Sequence, residues 1–246
     1  MSADASTAPA LPSLATYRPS PCPPIIAILD KQRILAELAS ATGKSPSCTT
    51  LVYSARDFGA RGDGTTIDTR AIQAAVDAAY AAGGGVAYVP PGVYMTGGVE
   101  LKSRVTLYLE AGAYLWGAEK QADYVHPRGH LVFGFGVENA ALRGRGTIYG
   151  NAEAIMDFPP VGQWCSDRRI PKNTRVDASC DPISPDWRPE RCLYFDQCTD
   201  LLLEGVTVRH TPEWAVHLHR SSRVRVTGLS IINGLTSRVD KVANGD

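Results

Sequence analysis

The sequence predicts an all-β fold, a right-handed parallel β-helix with an N-terminal capping helix. Residues 201–208 and 224–231 carry the same alternation of apolar residues at a shift of 23 residues, with glycine at the same place in both. A strand with one buried face shows this alternation, and a glycine between two such strands marks a tight bend. A repeat this short cannot bury its apolar face alone, so it must stack on copies of itself. The pattern therefore indicates a solenoid with one coil per repeat, and a β-sandwich is the alternative that it leaves open.

The composition limits the partners of the protein. The 246 residues include 25 Lys and Arg and 25 Asp and Glu, so the formal net charge is zero. A balanced chain has no general field that would hold nucleic acid or an anionic membrane. The sequence has no run of about 18 apolar residues, which a membrane-spanning helix would need. We therefore expect neither nucleic acid nor a membrane as a partner.

The first 50 residues differ from the rest and form a separate lead-in. They are rich in Ala and Pro, and we expect one short helix there, over residues 30–41. No basic region followed by an apolar core is visible, so the sequence shows no secretory signal and leaves the compartment open. Two cysteine pairs fit loop-closing disulfides and free thiols equally well, Cys22 with Cys48 and Cys165 with Cys180.

The β-helix domain is predicted over residues 51–246. We expect a strand over 52–58, a glycine-rich loop over 59–64 and then a helix with Asp68 as its N-cap. Apolar residues at helical spacing line one side of this helix: Ala71, Ile72, Ala75, Val76 and Ala79. A helix in this position suits a cap that covers the open first coil.

Short strands separated by glycines follow this helix. We expect strands over 86–89, 93–95, 99–101, 105–109, 113–117 and 191–195, and a further coil over 140–150. Residues 151–188 interrupt the pattern with five prolines. A long irregular excursion from a regular scaffold is often a binding loop, and its Trp164 and Trp187 are candidates for stacking on a sugar ring.

Several of these segments, in this order, resemble the polygalacturonase family of glycoside hydrolases, family 28 of the pectin-lyase-like superfamily. The similar segments are residues 57–64, 71–75, 83–94, 203–208, 211–217 and 224–231, followed by Asn-Gly-Asp at 244–246. The front segments are typical of the fold and not of one activity. The back segments are more specific to the family. The resemblance covers residues 52–246.

The resemblance implies hydrolysis of pectin with inversion at the anomeric carbon. Inversion uses one carboxyl as acid and another as base toward water, about 6.5–9.5 Å apart. It implies that Asp246 is a catalytic carboxylate and that Asn244 and His217 bind the substrate. The implied partner is an acidic plant polysaccharide, pectin or polygalacturonate, and no cofactor or metal is implied. We expect a monomer, and the family is extracellular or periplasmic.

Several motifs of the family are missing from the sequence as given. The family's Asp-Asp pair, its Gly-His-Gly motif and its Arg-x-Lys pair do not occur in this sequence. Because a lone carboxylate cannot be acid and base at once, we expect an inactive N-terminal portion of such an enzyme, with C-terminal coils missing. The alternatives are a non-catalytic glycan-binding β-helix and, third, a polysaccharide lyase. We also expect Trp214 and His217 to pack as a pair, and His210 and His219 to lie at the surface.

Overall fold

The computed structural model describes residues 51–155 and 187–233. The expectations for the lead-in, for Trp164, for the two cysteine pairs and for Asn244 and Asp246 lie outside these residues. Within them, Cys192 and Cys198 are buried free thiols. None of the helices in the two described ranges has the length and apolar character of a membrane span.

Three parallel sheets contain the strands, which are numbered here in chain order. Sheet A contains β1 (Val52–Ser54), β3 (Gly85–Val89), β6 (Val105–Leu109), β9 (Glu138–Gly144), β12 (Thr199–Glu204) and β15 (Arg225–Thr227). Sheet B contains β2 (Asp63–Ile67), β4 (Gly92–Thr96), β7 (Ala113–Gly117), β10 (Thr147–Tyr149), β13 (Thr207–Arg209) and β16 (Ser230–Ile232). Sheet C contains β5 (Val99–Glu100), β8 (His130–Phe135), β11 (Arg191–Asp196) and β14 (Trp214–His219).

The chain winds through sheets A, B and C in turn, and each strand pairs in parallel with the corresponding strands of the coils before and after it. Parallel strands connected in this order coil with the right hand. The fold is therefore the predicted right-handed parallel β-helix. A β-sandwich is excluded because its sheets are antiparallel.

The 23-residue repeat is confirmed in register. Leu203 lies opposite Val226 in sheet A, and Val208 lies opposite Ile231 in sheet B. Gly205, between the two strands, has a φ of 76°, and a Cβ there would come within 2.4 Å of the Gly144 carbonyl oxygen. Only glycine fits this bend, because other residues meet both the backbone strain and the clash.

The interior of the coil is an apolar column. Its fully buried side chains include Leu107, Leu109, Leu115, Leu131, Leu142, Ile148, Leu193 and Phe195. Burying one such side chain contributes about 1.5–3 kcal/mol of transfer free energy. Since each coil supplies only a few of them, the coils depend on stacking for their stability.

The capping helix α1 (Thr69–Ala81) forms where it was predicted. It buries Ile72, Ala75, Val76 and Ala79 of the expected stripe, together with Thr69. The side chain of Asp68 makes no cap hydrogen bond to the helix. Its two carboxylate oxygens instead accept hydrogen bonds from the backbone N–H groups of Arg61 and Gly62, each at 2.8 Å. Asp68 thus lies at the N-cap position as predicted, but its side chain does not cap the helix. The carboxylate holds the glycine-rich loop instead.

Other boundaries also differ from the sequence prediction. The strand expected over 52–58 ends at Ser54, and a 3₁₀ helix (Ala55–Phe58) follows it, because Gly59 at φ 94° caps a turn there. Strands β2 and β8 were not predicted. A second 3₁₀ helix (Gln121–Asp123) and a short helix α2 (Ala152–Ile155) lie on the connections between sheets B and C.

Candidate functional site

The outer face of sheet C carries a group of rings from three successive coils. We call this group the aromatic platform, and it consists of His130, Phe133 and Phe135 from β8, Tyr194 from β11, and Trp214 and His217 from β14. Strands in adjacent coils are about 4.8 Å apart, so the platform runs about 10 Å along the axis.

Strand register explains why these residues share a face. Phe133, Tyr194 and His217 lie opposite one another in one row of sheet C. The preceding row in the strands, which includes Val132 and Leu193, points into the apolar column. Because successive side chains of a strand point to opposite sides, the row of rings faces outward.

The rings contact one another across the coils at tilted angles. The ring centroids of His130 and Tyr194 are 4.8 Å apart, those of Tyr194 and His217 are 5.3 Å apart, and those of Trp214 and His217 are 4.8 Å apart. Phe135 meets Tyr194 edge-on at 5.7 Å. Tilted and edge-to-face contacts of this kind are favourable, and they leave ring faces open on the outer side.

Exposure differs along the platform. His130 is fully buried and Phe133 is 5% exposed, whereas Phe135 is 43% and Trp214 is 38% exposed. His126, from the connection before β8, covers the buried end and stacks on His130 with centroids 4.5 Å apart. Exposed aromatic side chains that adjoin one another are a feature of binding surfaces.

Arg191 lies at the centre of the platform. Its Nε donates a hydrogen bond to Nδ1 of His217 at 2.7 Å, and its Nη1 forms an ion pair with Glu190. The guanidinium carbon lies 4.8 Å from the ring centroid of Tyr194 and 5.9 Å from that of Trp214. Arginine over aromatic faces is a cation–π arrangement, so Arg191 holds the rings of β11 and β14 in place.

The hydrogen bond from Arg191 determines the state of His217. Desolvation lowers the pKa of His217, and the charge of Arg191 lowers it further. Since Nδ1 accepts a hydrogen bond, the neutral ring carries its proton on Nε2. His217 therefore presents an N–H donor that can bind an oxygen atom.

His130 has an unusual environment. Burial lowers its pKa to about 3, with smaller contributions from His126 and Arg191. Neither ring nitrogen of His130 has a hydrogen-bond partner. Because buried polar groups are nearly always paired, a neutral ring without such partners is unusual, and ring contacts with His126, Phe133 and Tyr194 surround it.

The edge of the platform carries a carboxylate. Asp196 accepts two hydrogen bonds from Arg220, at 3.0 and 2.7 Å, and its Oδ1 lies 3.2 Å from Nδ1 of His219. The hydrogen bonds from Arg220 lower the pKa of Asp196. In the parts of the chain that the structure covers, no group of three or more His, Cys, Asp or Glu is arranged to hold a metal ion.

Comparison with known proteins agrees with this architecture. Residues 52–121 match the family model described as rhamnogalacturonase A/epimerase, pectate lyase-like. The chain is 43% identical over 110 residues to the exo-poly-α-D-galacturonosidase of Dickeya chrysanthemi, covering 45% of this chain and 18% of that protein. It is 53% identical over 66 residues to the mannuronan C5-epimerase AlgE5 of Azotobacter vinelandii, covering 27% of this chain and 7% of that one.

A solved structure of a related enzyme has a similar fold. The family 28 exopolygalacturonase of Yersinia enterocolitica superimposes with a TM-score of 0.57 at 25% identity, over 76% of this chain and 39% of that chain. The chain is thus similar, over its matched segments and in its fold, to polygalacturonase-like proteins with a pectin-lyase-like β-helix. It spans less than a fifth of the length of the two curated relatives named above.

His217 is the predicted site residue that the structure describes, and it lies in the platform. The expected packing of Trp214 against His217 is confirmed. Trp187 packs edge-on against Tyr124, with centroids 5.0 Å apart, and donates a hydrogen bond to the Pro127 carbonyl at 3.0 Å. These contacts give Trp187 a structural role, and its stacking on a sugar ring stays a prediction.

The prediction for His210 was wrong. This residue is 3% exposed, stacks on Tyr149 with centroids 4.9 Å apart, and its Nδ1 contacts the carboxylate of Glu153. The prediction for His219 is confirmed, because its side chain is 45% exposed. Burial of His210 follows from its position directly after β13, where the chain turns toward the next sheet.

The sequence analysis missed Arg191, Tyr194, Phe135 and His130. For two of them a signal was present. Arg191 and Tyr194 precede Trp214 and His217 by the same 23 residues that relate the apolar repeat. Extending the repeat backward would have placed these four side chains in neighbouring positions of one sheet.

Proposed function

We propose that the chain carries the polymer-binding face of a polygalacturonase-like, inverting hydrolase of pectin-type polysaccharide, and that the outer face of sheet C is this face. The observation that carries this proposal is the aromatic platform, in which the exposed rings of Phe135 and Trp214 flank the partly buried Tyr194 and His217, with its N–H donor. Flat apolar rings fit the face of a pyranose, and single polar donors fix its orientation. The name of the Dickeya relative points to polygalacturonate as the polymer.

In this proposal Asp246 is the carboxylate that helps to activate water, and Asn244 and His217 contact the sugar. Inversion also needs a second carboxyl to protonate the leaving oxygen. The Asp-Asp pair that supplies this acid in the family does not occur in the sequence. We therefore expect the 246-residue chain to bind the polymer without hydrolysing it at an appreciable rate.

Binding can be tested by migration in native gels that contain pectin, polygalacturonate or dextran. We expect pectin or polygalacturonate to retard the chain and dextran to leave its migration unchanged. The Trp214→Ala variant should be retarded less, because it removes the most exposed indole of the platform. Equal migration in all three gels would contradict the proposal.

Catalysis is tested by reducing-sugar release from polygalacturonate, which we expect to be near zero. Turnover equal to that of a complete family enzyme would mean that a carboxyl other than the Asp-Asp pair is the acid. In that case Asp246→Asn should lower kcat by orders of magnitude with folding intact. An unchanged kcat would remove Asp246 from the proposal.

Chemistry at C5 of a uronate is a second candidate function. It is favoured by the similarity of 66 residues to a mannuronan C5-epimerase. Epimerisation exchanges the C5 hydrogen with solvent, and a lyase leaves an unsaturated product that absorbs ultraviolet light. Deuterium incorporation from heavy water into polyuronate, or new ultraviolet absorbance, would favour this candidate over hydrolysis.

A further inference from the structure

Arginine side chains around the aromatic platform outnumber the carboxylates that pair with them. Three pairs are close: Arg191 with Glu190, Arg188 with Glu213 at 3.3 Å, and Arg220 with Asp196 at 2.7 Å. Arg128 is the fourth arginine, and its Nε lies 4.0 Å from Oε1 of Glu190. The other oxygen of Glu190 already accepts a hydrogen bond from Arg191. These four arginines therefore share three carboxylates, and Arg128 is the one left over.

The guanidinium group of Arg128 is open to a ligand. A separation of 4.0 Å from Glu190 is too long for a hydrogen bond. The side chain of Arg128 is 64% exposed, whereas that of Arg191 is 17% exposed. Arg191 spends its donors on Glu190 and His217, so it positions the rings. Arg128 keeps its fork of N–H donors for a partner that comes from solvent.

The backbone that carries Arg128 is held in place. The carbonyl oxygen of Arg128 accepts a hydrogen bond from the N–H of Glu190 at 2.9 Å, and its own N–H donates to Nδ1 of His126 at 3.2 Å. The Trp187 indole donates to the carbonyl of the preceding residue, Pro127. A fixed attachment point lowers the entropy that is lost when the side chain binds a ligand.

The position of Arg128 relative to the rings gives the polymer a path. Arg128 lies directly before β8, and His126, two residues earlier, stacks on His130 of the platform. Trp214 lies on β14, two coils or about 10 Å farther along the axis. A polymer that stacks on Trp214 and follows the row of rings toward β8 therefore brings another of its sugars to Arg128.

We propose that Arg128 determines specificity on this face by binding the free carboxylate of a galacturonate unit at the β8 end of the platform. This inference rests on the proposed function and names the residue that recognises the charge of the polymer. A guanidinium group and a carboxylate can form two parallel hydrogen bonds. A methyl ester carries no charge and cannot form the same pair, so Arg128 favours unesterified stretches of the polymer.

Calorimetric titration of the full chain with two hexagalacturonates, one free and one fully methyl-esterified, tests this role. We expect Arg128→Gln to weaken binding of the free acid by about fivefold, because the ion pair is lost. Binding of the ester should stay within twofold of the intact chain. Arg128→Lys keeps the charge but not the fork, so it should weaken binding of the acid by only about twofold.

Arg70→Gln is the matched control. Arg70 is also exposed and lies on the capping helix α1, outside the platform, and its substitution changes the net charge by the same amount. We expect Arg70→Gln to leave the affinities for both hexamers unchanged. Urea denaturation should give the same free energy of unfolding for both glutamine variants and the intact chain, because surface substitutions of this kind have little effect on stability.

The outcomes separate this inference from the proposed function. If Arg128→Gln leaves binding of the acid unchanged, or weakens binding of acid and ester equally, Arg128 does not recognise the carboxylate. If Arg128→Gln and Arg70→Gln weaken binding of the acid equally, the effect is one of net charge. Each of these results overturns the inference and leaves polymer binding standing. Absence of binding of the intact chain to either hexamer overturns both.

Discussion

The faces formed by sheets B and C both carry aromatic rings, and they differ in how the rings are packed. On sheet B, Tyr149 stacks between Trp116, with centroids 3.9 Å apart, and His210, with centroids 4.9 Å apart, and both interplanar angles are 20°. The Tyr149 hydroxyl donates to Glu153 at 3.0 Å. On sheet C the rings are tilted, and Phe135 is 43% exposed.

The difference separates a structural stack from a binding surface. In the sheet B stack, each face of Tyr149 is covered by another ring. The Glu153 carboxylate contacts both the Tyr149 hydroxyl and Nδ1 of His210. Burial is the largest single influence and would raise the pKa of Glu153, but the hydrogen bonds from His210 and Tyr149 and the charge interaction with His210 together lower it. A ring whose faces and polar atoms are all occupied has nothing left for a ligand. The tilted rings of sheet C still have open faces.

The comparison predicts that Tyr149→Ala has the largest effect on stability. The substitution removes the central ring of the sheet B stack and should lower the free energy of unfolding by about 2–4 kcal/mol. Urea denaturation measures this change. Binding of polygalacturonate should stay within twofold of the intact chain. Loss of binding as large as that of Trp214→Ala would show that the two faces are not independent.

The coil interior was predictable from the sequence because burial leaves a periodic pattern. Leu203 and Val208 mark their strands by alternation, and the 23-residue shift gives their register with Val226 and Ile231. The bend at Gly205 was equally visible, since only glycine fits there.

The outer face of sheet C was not predictable as a whole. His130 and Arg191 are neighbours in the sheet but are separated by 61 residues, because the excursion between β10 and β11 interrupts the repeat. The shift of 61 residues between β8 and β11 therefore differs from the 23-residue shift of the apolar repeat. Side chains on the outer face do not have to fill the apolar column, so they follow no regular alternation. The sequence pattern therefore did not identify Phe133 and Phe135 as members of the platform.

The role of Asp68 shows a second reason why a contact could not be predicted from the sequence. The sequence placed it correctly at the start of the capping helix, where aspartate is a common N-cap. The glycine-rich loop competes for the same carboxylate, with two N–H groups at 2.8 Å. A local rule cannot foresee a tertiary partner of this kind.

The buried end of the platform predicts the next largest effect, through His130. Its pKa is about 3 in the folded chain, and a free histidine has a pKa of about 6.5. Between these values the unfolded chain binds more protons, so the free energy of unfolding falls as the pH is lowered from 6.5 toward 3. His130→Phe removes this loss and the two unpaired nitrogens. We expect it to raise the free energy of unfolding by about 1–3 kcal/mol at pH 5.

The control for His130 is His219→Phe, whose side chain is 45% exposed and at the edge of the same face. Urea denaturation of both variants between pH 4 and pH 8 should show a shallower pH dependence for His130→Phe alone. A slope identical to that of the intact chain would mean that His130 is not held neutral by burial. In that case the buried end of the platform would not exclude water from His130.

The smallest effect on stability is expected for Phe135→Ala, at the open end. Phe135 contacts Phe133 and Tyr194 by its edges, with centroids 5.7 Å away in both cases. Because the ring is largely exposed, its loss should cost about 1 kcal/mol or less. Binding of polygalacturonate should nevertheless weaken by about threefold or more, since an exposed ring is lost. A change of 3 kcal/mol in unfolding with unaltered binding would make sheet C a structural stack like that of sheet B.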